Sequence, residues 1–447
     1  MAVPSSDGII VRLWEQYNVG WRLYKNLEQI PRHMTPYYSR EQMKIMGNYA
    51  NAEERLLTRR RVWQVFLLVK LTMFIVPTVI GLTESLDSIV EFSEDALWTI
   101  SALYVFARWA FYYLKADQVD EIVDALEECH HEWNVGPNSE ETQSLRRWYY
   151  HIETGLSVCW HIGLMFLMAL LILAPVWTSQ QLPFHAVYPF NLHNPEEHPI
   201  SYILIYISQS CCVIYFLPWL LLTEFLSCHC FFQLAANLKI LCIQLRNLNQ
   251  FTGHGDNEQI VAMELKKLIE FHQKIMHIVD RVNDVFYNPL LTFLLANFIL
   301  LLLCTFAALA ARHQPLVAGR FIMTMPIVFG ALIYWSKCGD LVTQTSQDVA
   351  AAAFEAYDCP LWVTRSSIIQ RDLMFLIQRA QKPLTIGARA PLPAFNLVTC
   401  MAVSSATPKG RHQHQQQQQQ QQHKHKQRQT KTESETETQT HSEVRFS

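Results

Sequence analysis

Long apolar stretches alternate with polar segments along the chain, and their lengths predict helices that cross a membrane. A bilayer core of about 30 Å takes about 20 helical residues to cross. Six stretches reach or approach that length: residues 62–82, 98–114, 154–177, 202–223, 289–311 and 319–335. Another apolar run begins near residue 391 and soon breaks off. The pattern predicts an all-α membrane protein with six full transmembrane helices and a truncated seventh.

A different periodicity follows the fourth stretch. Leucines at 234, 238, 241, 245 and 248 recur at alternating steps of four and three, the spacing of a coiled-coil seam. After a polar break, Leu265, Leu268, His272, Ile275, Val279, Val282 and Phe286 repeat the pattern. The segment 224–288 is therefore expected to be an antiparallel cytoplasmic helical hairpin. It is a platform for subunit assembly or, alternatively, a hairpin packed on its own chain, and His272 is expected to pack within the seam.

Lys and Arg are unevenly distributed among the polar segments, and this predicts the orientation. Residues 1–61 carry ten of them, whereas the loops after the first and third stretches carry none. The segments after the fourth and sixth stretches are basic again. The N-terminus is therefore expected in the cytoplasm.

Two cations, Lys70 and Arg108, lie inside the first and second stretches. Each is close enough to the inner end for its long side chain to extend to the cytoplasmic interface. Contact with an ion or a ligand is the alternative.

Composition excludes several classes of protein. The chain is 50% hydrophobic and 17% charged, which is lean in charge for a soluble protein. There is no Gly-rich phosphate loop, no G-x-S-x-G nucleophile and no pair of cysteines to complete a zinc site with Cys228 and Cys230. None of the 11 cysteines falls in a predicted outer loop. No enzyme activity, cofactor, metal, nucleic-acid partner or extracellular disulfide is expected.

The segment 346–396 carries the most distinctive residues. They are Ala356-Tyr357, Trp362, Arg371-Asp372-Leu373, Arg379-Ala380-Gln381, Pro383-Leu384 and Pro393 to Asn396. This order resembles the C-terminal signature of insect odorant receptors, and residues 182–192 resemble the second outer loop of that family. The resemblance extends over nearly the whole chain up to about residue 403.

The resemblance implies a ligand-gated cation channel in the plasma membrane of olfactory sensory neuron dendrites. In that family, tuning receptors and a common olfactory co-receptor assemble as tetramers through cytoplasmic helices and line one pore with the last helix. The chain lacks the extended cytoplasmic insertion of the co-receptor, so a tuning subunit is expected, with the co-receptor, a volatile odorant and membrane lipid as partners. A gustatory-type receptor, a G-protein-coupled receptor and a transporter are the alternatives.

The resemblance also suggests which residues carry these functions. Assembly is expected to use Leu234, Leu238, Leu241, Leu245, Leu268, Ile275, Val279, Arg371, Asp372 and Arg379. By family analogy the ligand lies in the outer halves of the second, third, fourth and sixth helices, where the candidates are Trp98, Ser101, Phe166, Ala169, Tyr206, Gln209 and Met323. Tyr206 and Gln209 are the preferred polar contacts, and helix packing is the alternative role of each residue.

The seventh helix starts with Phe395, Asn396, Leu397 and Val398. The 12 residues from 392 to 403 span about 18 Å as a helix, which is too short to cross. A splice junction at Val403-Ser404 is expected, and a genuine isoform is the alternative. The expected organisation is a cytoplasmic arm (1–61), helices one to four (62–223), the hairpin (224–288), helices five and six (289–337), cytoplasmic anchor helices (338–390), the start of the pore helix (391–403) and a disordered Gln/His-rich tail (404–447).

Overall fold

The computed structural model describes residues 57–133, 138–177, 182–248, 258–313, 315–358 and 367–387, together with Met43 and Tyr49. Within these ranges the chain is helical and contains no strand. The helices are α1 (Thr58–Glu84), α2 (Ile89–His131), α3 (Ser139–Trp177), α4 (Pro199–Asn247), α5 (Glu258–Ala310), α6 (Pro315–Tyr357) and α7 (Ser367–Ala380). Short 3-10 turns lie at Ser85–Asp87 and Pro189–Asn191.

Each predicted membrane stretch lies within one of the helices α1 to α6, apart from Ala311, which follows the end of α5. Among the described residues, five helices are long and apolar enough to cross a membrane, namely α1, α3, α4, α5 and α6. The second stretch, 98–114, lies within α2, which is not one of these five. In this part of α2, Arg108 and several tyrosine and tryptophan side chains lower the mean hydropathy.

The predicted hairpin consists of the second half of α4 and the first half of α5, so each arm continues a predicted membrane stretch without a break. Its seam residues are buried, with Leu234, Leu238, Leu241 and Leu245 at 0% exposure. The most extensive helix contacts are α4 with α6 and α2 with α5, rather than one arm with the other. The seams therefore fill the core of this chain's own bundle, which favours the hairpin packed on its own chain.

The last described helix, α7, is amphipathic. Ile369, Leu373, Leu376 and Ala380 are buried, and α7 packs mainly on α6. The chain after α7 is then fastened by polar side chains. Asn283 of α5 donates to the Thr385 carbonyl at 2.9 Å and accepts from the Gly387 N–H at 2.8 Å. The segment 384–387 is thus held against the bundle before the chain reaches the expected pore helix.

Candidate functional site

A cluster of apolar side chains lies where α1 to α4 converge around the loop between α3 and α4. Its centre is Phe184, which belongs to the loop between α3 and α4 and is only 3% exposed. The Phe184 ring meets Phe74 of α1 edge-on, with the ring centroids 5.1 Å apart, and Trp98 of α2 at 4.6 Å. Met168 of α3 and Val213 of α4 complete the cluster. A loop residue therefore fills the core of this part of the bundle.

The side chain of Gln209 in α4 makes two hydrogen bonds to the backbone of Phe184. Its side-chain Oε1 accepts the Phe184 N–H at 3.1 Å, and its Nε2 donates to the Phe184 carbonyl at 3.2 Å. Both backbone groups of a buried loop residue are satisfied in this way, as burial requires. The Gln209 amide therefore positions the loop, whereas the sequence had suggested it as a direct ligand contact.

Further contacts fasten the next residues of the loop. Val187 donates its N–H to the Pro77 carbonyl of α1 at 3.1 Å. The His185 Nδ1 lies 2.7 Å from Oδ2 of the buried Asp95 at the start of α2, and Ser85 donates to the same oxygen. The hydrogen bond with Asp95 raises the pKa of His185 above its usual 6.5. This half-exposed imidazole is thus biased toward the protonated form that pairs with the carboxylate.

The structure brings together only part of the predicted ligand set. Trp98 and Gln209 meet through Phe184, and Trp98 also packs against the neighbouring α5 and α6 cluster that includes Leu300 and Phe321. Tyr206 donates its hydroxyl proton to the Ile172 carbonyl of α3, and the Ser101 hydroxyl bonds to the Leu97 carbonyl at 2.8 Å. Both hydroxyls therefore already have partners within the helices.

The remaining ligand candidates lie apart from the cluster. Phe166 and Met323 are 58% and 57% exposed, and Ala169 is exposed as well. Side chains with this exposure on apolar helices are those that lipid would cover. A helical period predicts which residues share a face, but not whether that face meets lipid or another helix.

Further along α2 and α4 from this cluster, a buried ion pair joins the two helices. The Arg108 Nη2 lies 2.9 Å from the Glu224 Oε1, and the Arg108 side chain is 0% exposed. Tyr104 also donates to Glu224, and the rings of Tyr112 and Trp335 lie within 6 Å of the guanidinium carbon. The expectation that Arg108 extends to the membrane interface is therefore wrong, because Glu224 and aromatic rings meet its charge inside the bundle.

The other membrane cation, Lys70, donates to the Ser208 hydroxyl of α4 at 3.1 Å. This bond links α1 to α4 within the bundle.

The predicted assembly residues divide into two groups. Leu268, Ile275 and Val279 are buried, like the α4 leucines. Arg371 and Arg379 are instead exposed on α7, and Asp372 is partly exposed. The α7 surface also exposes Met374 and Phe375. Among the described residues, the exposed members of the predicted assembly set thus lie on α7, whereas the seams are buried within the bundle.

The rest of the predicted set lies outside the described residues. This applies to Phe395, Asn396, Leu397 and Val398 at the expected start of the pore helix, and to the tail from residue 404.

Comparison with known proteins identifies the family. A family model described as 7tm Odorant receptor matches residues 88–407, which is more than half of the chain. The chain belongs to the insect odorant receptor family. Odorant receptor 65a of Drosophila melanogaster is 38% identical over 88% of this chain and 93% of the relative. Odorant receptor 47b of the same species is 32% identical over 84% of this chain and 89% of the relative.

The fold agrees with this family. The insect olfactory receptor OR5 from Machilis hrabei, solved in complex with eugenol, matches with a TM-score of 0.65 at 17% identity, covering 82% of this chain and 94% of that one. A second structure of the same receptor matches with a TM-score of 0.64 at 15% identity. The chain is thus a membrane protein of the odorant receptor type and not an enzyme, and the expected tuning-subunit identity is confirmed.

Sequence reasoning missed three features of this receptor's site. Phe184 lies in a loop and shows no periodic signal, and Glu224 was placed just inside the cytoplasmic hairpin. The Asp95 and His185 pair joins residues 90 positions apart. Of these three features, only Glu224 had a signal in the sequence, because the charge of Arg108 in an apolar helix requires a counter-charge nearby.

Proposed function

We propose that the receptor is the odorant-binding subunit of a heteromeric ligand-gated cation channel, formed with the common olfactory co-receptor. The observation that carries the proposal is the apolar cluster around Phe184, which lies among helices of an odorant receptor fold. Trp98 links this cluster to α5 and α6. A ligand that enlarges or displaces the cluster would therefore act directly on α5 and α6, which contain the last predicted membrane stretches before the expected pore helix.

The composition of the cluster favours a volatile, mostly apolar ligand. Its walls are aromatic and aliphatic, and its polar groups are few, as in sites that bind small apolar molecules. Gln209 and Tyr206 are engaged in hydrogen bonds to backbone groups. Eugenol, the ligand of the Machilis receptor, is a suitable first member of an odorant panel.

Assembly with the co-receptor is proposed to use the exposed side of α7. Met374 and Phe375 present apolar area beside Arg371 and Asp372, the combination of apolar core and charged rim that protein interfaces use. The buried seams would then support assembly indirectly, by holding the platform on which α7 sits.

The proposed topology has six membrane-crossing helices, a cytoplasmic N-terminus and lipid contact along α1, α3 and α4. Exposed apolar residues on these helices support the lipid contact; examples are Val65, Met73, Met165, Ile203 and Leu204. The distribution of Lys and Arg supports the orientation. We place the channel in the dendritic plasma membrane of olfactory sensory neurons. Glycosylation tags at the two ends test the orientation, since modification of the N-terminal tag would contradict it.

The deciding experiment is co-expression with the co-receptor and recording of currents during an odorant panel that includes eugenol. Two chains are compared. The first has the 447-residue sequence, called the printed chain, and the second has its last helix completed from antennal transcripts sequenced across codon 403. Currents from either chain support the channel subunit. Currents from the completed chain alone identify the printed chain as a non-conducting isoform. Silence of both chains at the cell surface, beside an active control receptor, would refute the proposal.

A further inference from the structure

The segment 183–187, which we name the outer strap, packs as core although it belongs to a loop. Loops ordinarily run over the surface because their backbone groups need partners. Here Phe184 and Ala186 are buried, at 3% and 1% exposure, while Phe190 in the same loop is fully exposed. The outer strap therefore places one large aromatic ring where the four surrounding helices leave room for it.

Trp98, one of the rings that pack on Phe184, carries a polar group without a partner among the described residues. The indole Nε1 of Trp98 is buried and has no hydrogen-bond partner among the described residues. Buried indole N–H groups usually find an acceptor. The Trp98 ring packs directly on Phe184. An acceptor oxygen brought to the edge of the Trp98 ring would satisfy this donor.

We propose that Phe184 is a built-in plug of the ligand site, and that an apolar ligand with one acceptor oxygen replaces its ring and accepts a hydrogen bond from Trp98. The inference rests on the proposed odorant-binding function and adds the ligand class and the residue that competes with it. A ketone, aldehyde, ester or ether fits this description, whereas a pure hydrocarbon leaves the indole N–H without a partner.

The fastenings of the outer strap suit a plug that leaves. Gln209 and Pro77 hold it by hydrogen bonds to its backbone, and Asp95 holds His185 by a side-chain contact. Water can replace each of these partners when the strap lifts. The apolar contacts of the Phe184 ring cannot be replaced by water, but they can be replaced by the body of an apolar ligand.

The contact between His185 and Asp95 makes the closed strap sensitive to pH. The charged groups facing His185 are Asp95 and Glu91 of α2 and Glu84 of α1, all acidic. The bonded Asp95 raises the pKa of His185, so the closed strap binds a proton more tightly than the open one. The contribution of this contact to the stability of the closed strap is complete below the ordinary pKa of His185 and is lost as the pH rises through the raised pKa. Acid therefore favours the closed strap.

Thiol labelling tests the opening of the strap without any ligand. The sequence has no cysteine in the predicted outer loops, so Ala186→Cys would add a single outer thiol. A charged, membrane-impermeant reagent should modify it slowly compared with the exposed reference Glu197→Cys. Gln209→Leu should accelerate modification by at least roughly tenfold, since both hydrogen bonds to the Phe184 backbone are lost, together with the one to the Tyr188 hydroxyl. Gln209→Glu, which keeps the acceptor for the Phe184 N–H, should fall between.

The same assay checks the pH dependence. The ratio of the Ala186→Cys rate to the reference rate should rise as the pH is raised above about 6.5, the ordinary pKa of histidine, and His185→Gln should abolish that rise. Labelling of Ala186→Cys as fast as the reference in the otherwise unchanged receptor would overturn the closed strap. A rate unaffected by both Gln209 variants would overturn the role of Gln209.

A reversible lock tests the plug itself. A Cβ built on Gly81 would lie 3.5 Å from the Ala186 Cα, within reach of a disulfide. In the complex with the co-receptor, Gly81→Cys with Ala186→Cys should abolish odorant currents, and a reducing agent should restore them. Normal currents from a receptor shown to be cross-linked would overturn the plug. If the unlocked receptor ignores every odorant, the proposed function fails, while the labelling still decides whether the strap opens.

Matched probes test the ligand class. The receptor should respond to octanone at lower concentration than to octane, and Trp98→Phe should remove most of that difference. Phe184→Ala should shift the preference toward longer ketones, whereas Phe190→Ala, on the exposed part of the same loop, should leave it unchanged. Equal effects of the two alanine variants, or a full ketone preference in Trp98→Phe, would overturn the assignment.

Discussion

In the proposed topology, the receptor has an outer part around Phe184 and a cytoplasmic part formed by the seams. Both parts are helical, but they bury their apolar side chains differently. In the cytoplasmic part, the stripes of α4 and α5 are almost fully buried against α6 and α2. In the outer part, α1, α3 and α4 leave many apolar residues exposed, and a loop residue supplies the centre of the core. The core of the cytoplasmic part is thus filled by helices of the chain itself, whereas the outer part exposes apolar side chains that lipid would cover and fills its core with the strap.

The largest effect is expected from a charge in the cytoplasmic seam. Leu241→Asp would bury an unpaired carboxylate at a fully enclosed position, which should cost more than about 4 kcal/mol and prevent folding. Size-exclusion chromatography of a fluorescent fusion measures the folded fraction. The matched control is Met374→Asp on the exposed side of α7, which should fold normally and lose co-purification with the co-receptor. A folded, monodisperse Leu241→Asp receptor would show that the cytoplasmic core is less complete than described.

An intermediate effect is expected at the ion pair that joins α2 and α4. Glu224→Gln removes the counter-charge of a fully buried guanidinium, which typically costs about 3–5 kcal/mol. Thermal unfolding of the detergent-solubilised receptor measures the loss. The double variant Arg108→Gln with Glu224→Gln should recover much of it, because no unpaired charge remains. A double variant that is no more stable than Glu224→Gln would argue against the ion pair as the cause.

The smallest effect is expected at the exposed ion pair between α4 and α6. The Arg246 Nε lies 2.7 Å from the Glu355 Oε2, but both side chains are about half exposed. Such pairs contribute roughly 0–1 kcal/mol, so Arg246→Gln should lower the unfolding temperature only slightly. High salt should reduce even this difference. A loss as large as that of Glu224→Gln would erase the contrast between enclosed and exposed charges.

The sequence was sufficient to predict the helices and the family. The apolar stretches located α1 to α6, and the residues around Arg371 and Arg379 indicated the correct family. Periodicity also identified the buried seam positions, such as Leu238 and Ile275. It could not say what covers them, since the same stripe serves equally well for a partner chain or for a neighbouring helix.

The contacts that organise the site are not periodic, so the pattern of the sequence did not indicate them. Gln209 was named as a ligand contact, yet both ends of its amide bind a loop that pattern reasoning treats as a connection. Phe166 and Met323 share the chemistry of the cluster but lie on exposed faces. Trp98 contacts both Phe184 of the loop and the cluster that includes Leu300 of α5 and Phe321 of α6.

The unbroken course of α4 and α5 gives the receptor two long levers. With 49 and 53 residues, these helices are about 75 and 80 Å long at 1.5 Å per residue. A tilt of about 5° at one end of such a rod moves the other end by roughly 6–7 Å. Pro218 in α4 and Pro289 in α5 interrupt the backbone hydrogen bonding near the join between the predicted membrane and cytoplasmic halves. The displacement that each helix transmits from one end to the other therefore depends on how stiff the turn around its proline is.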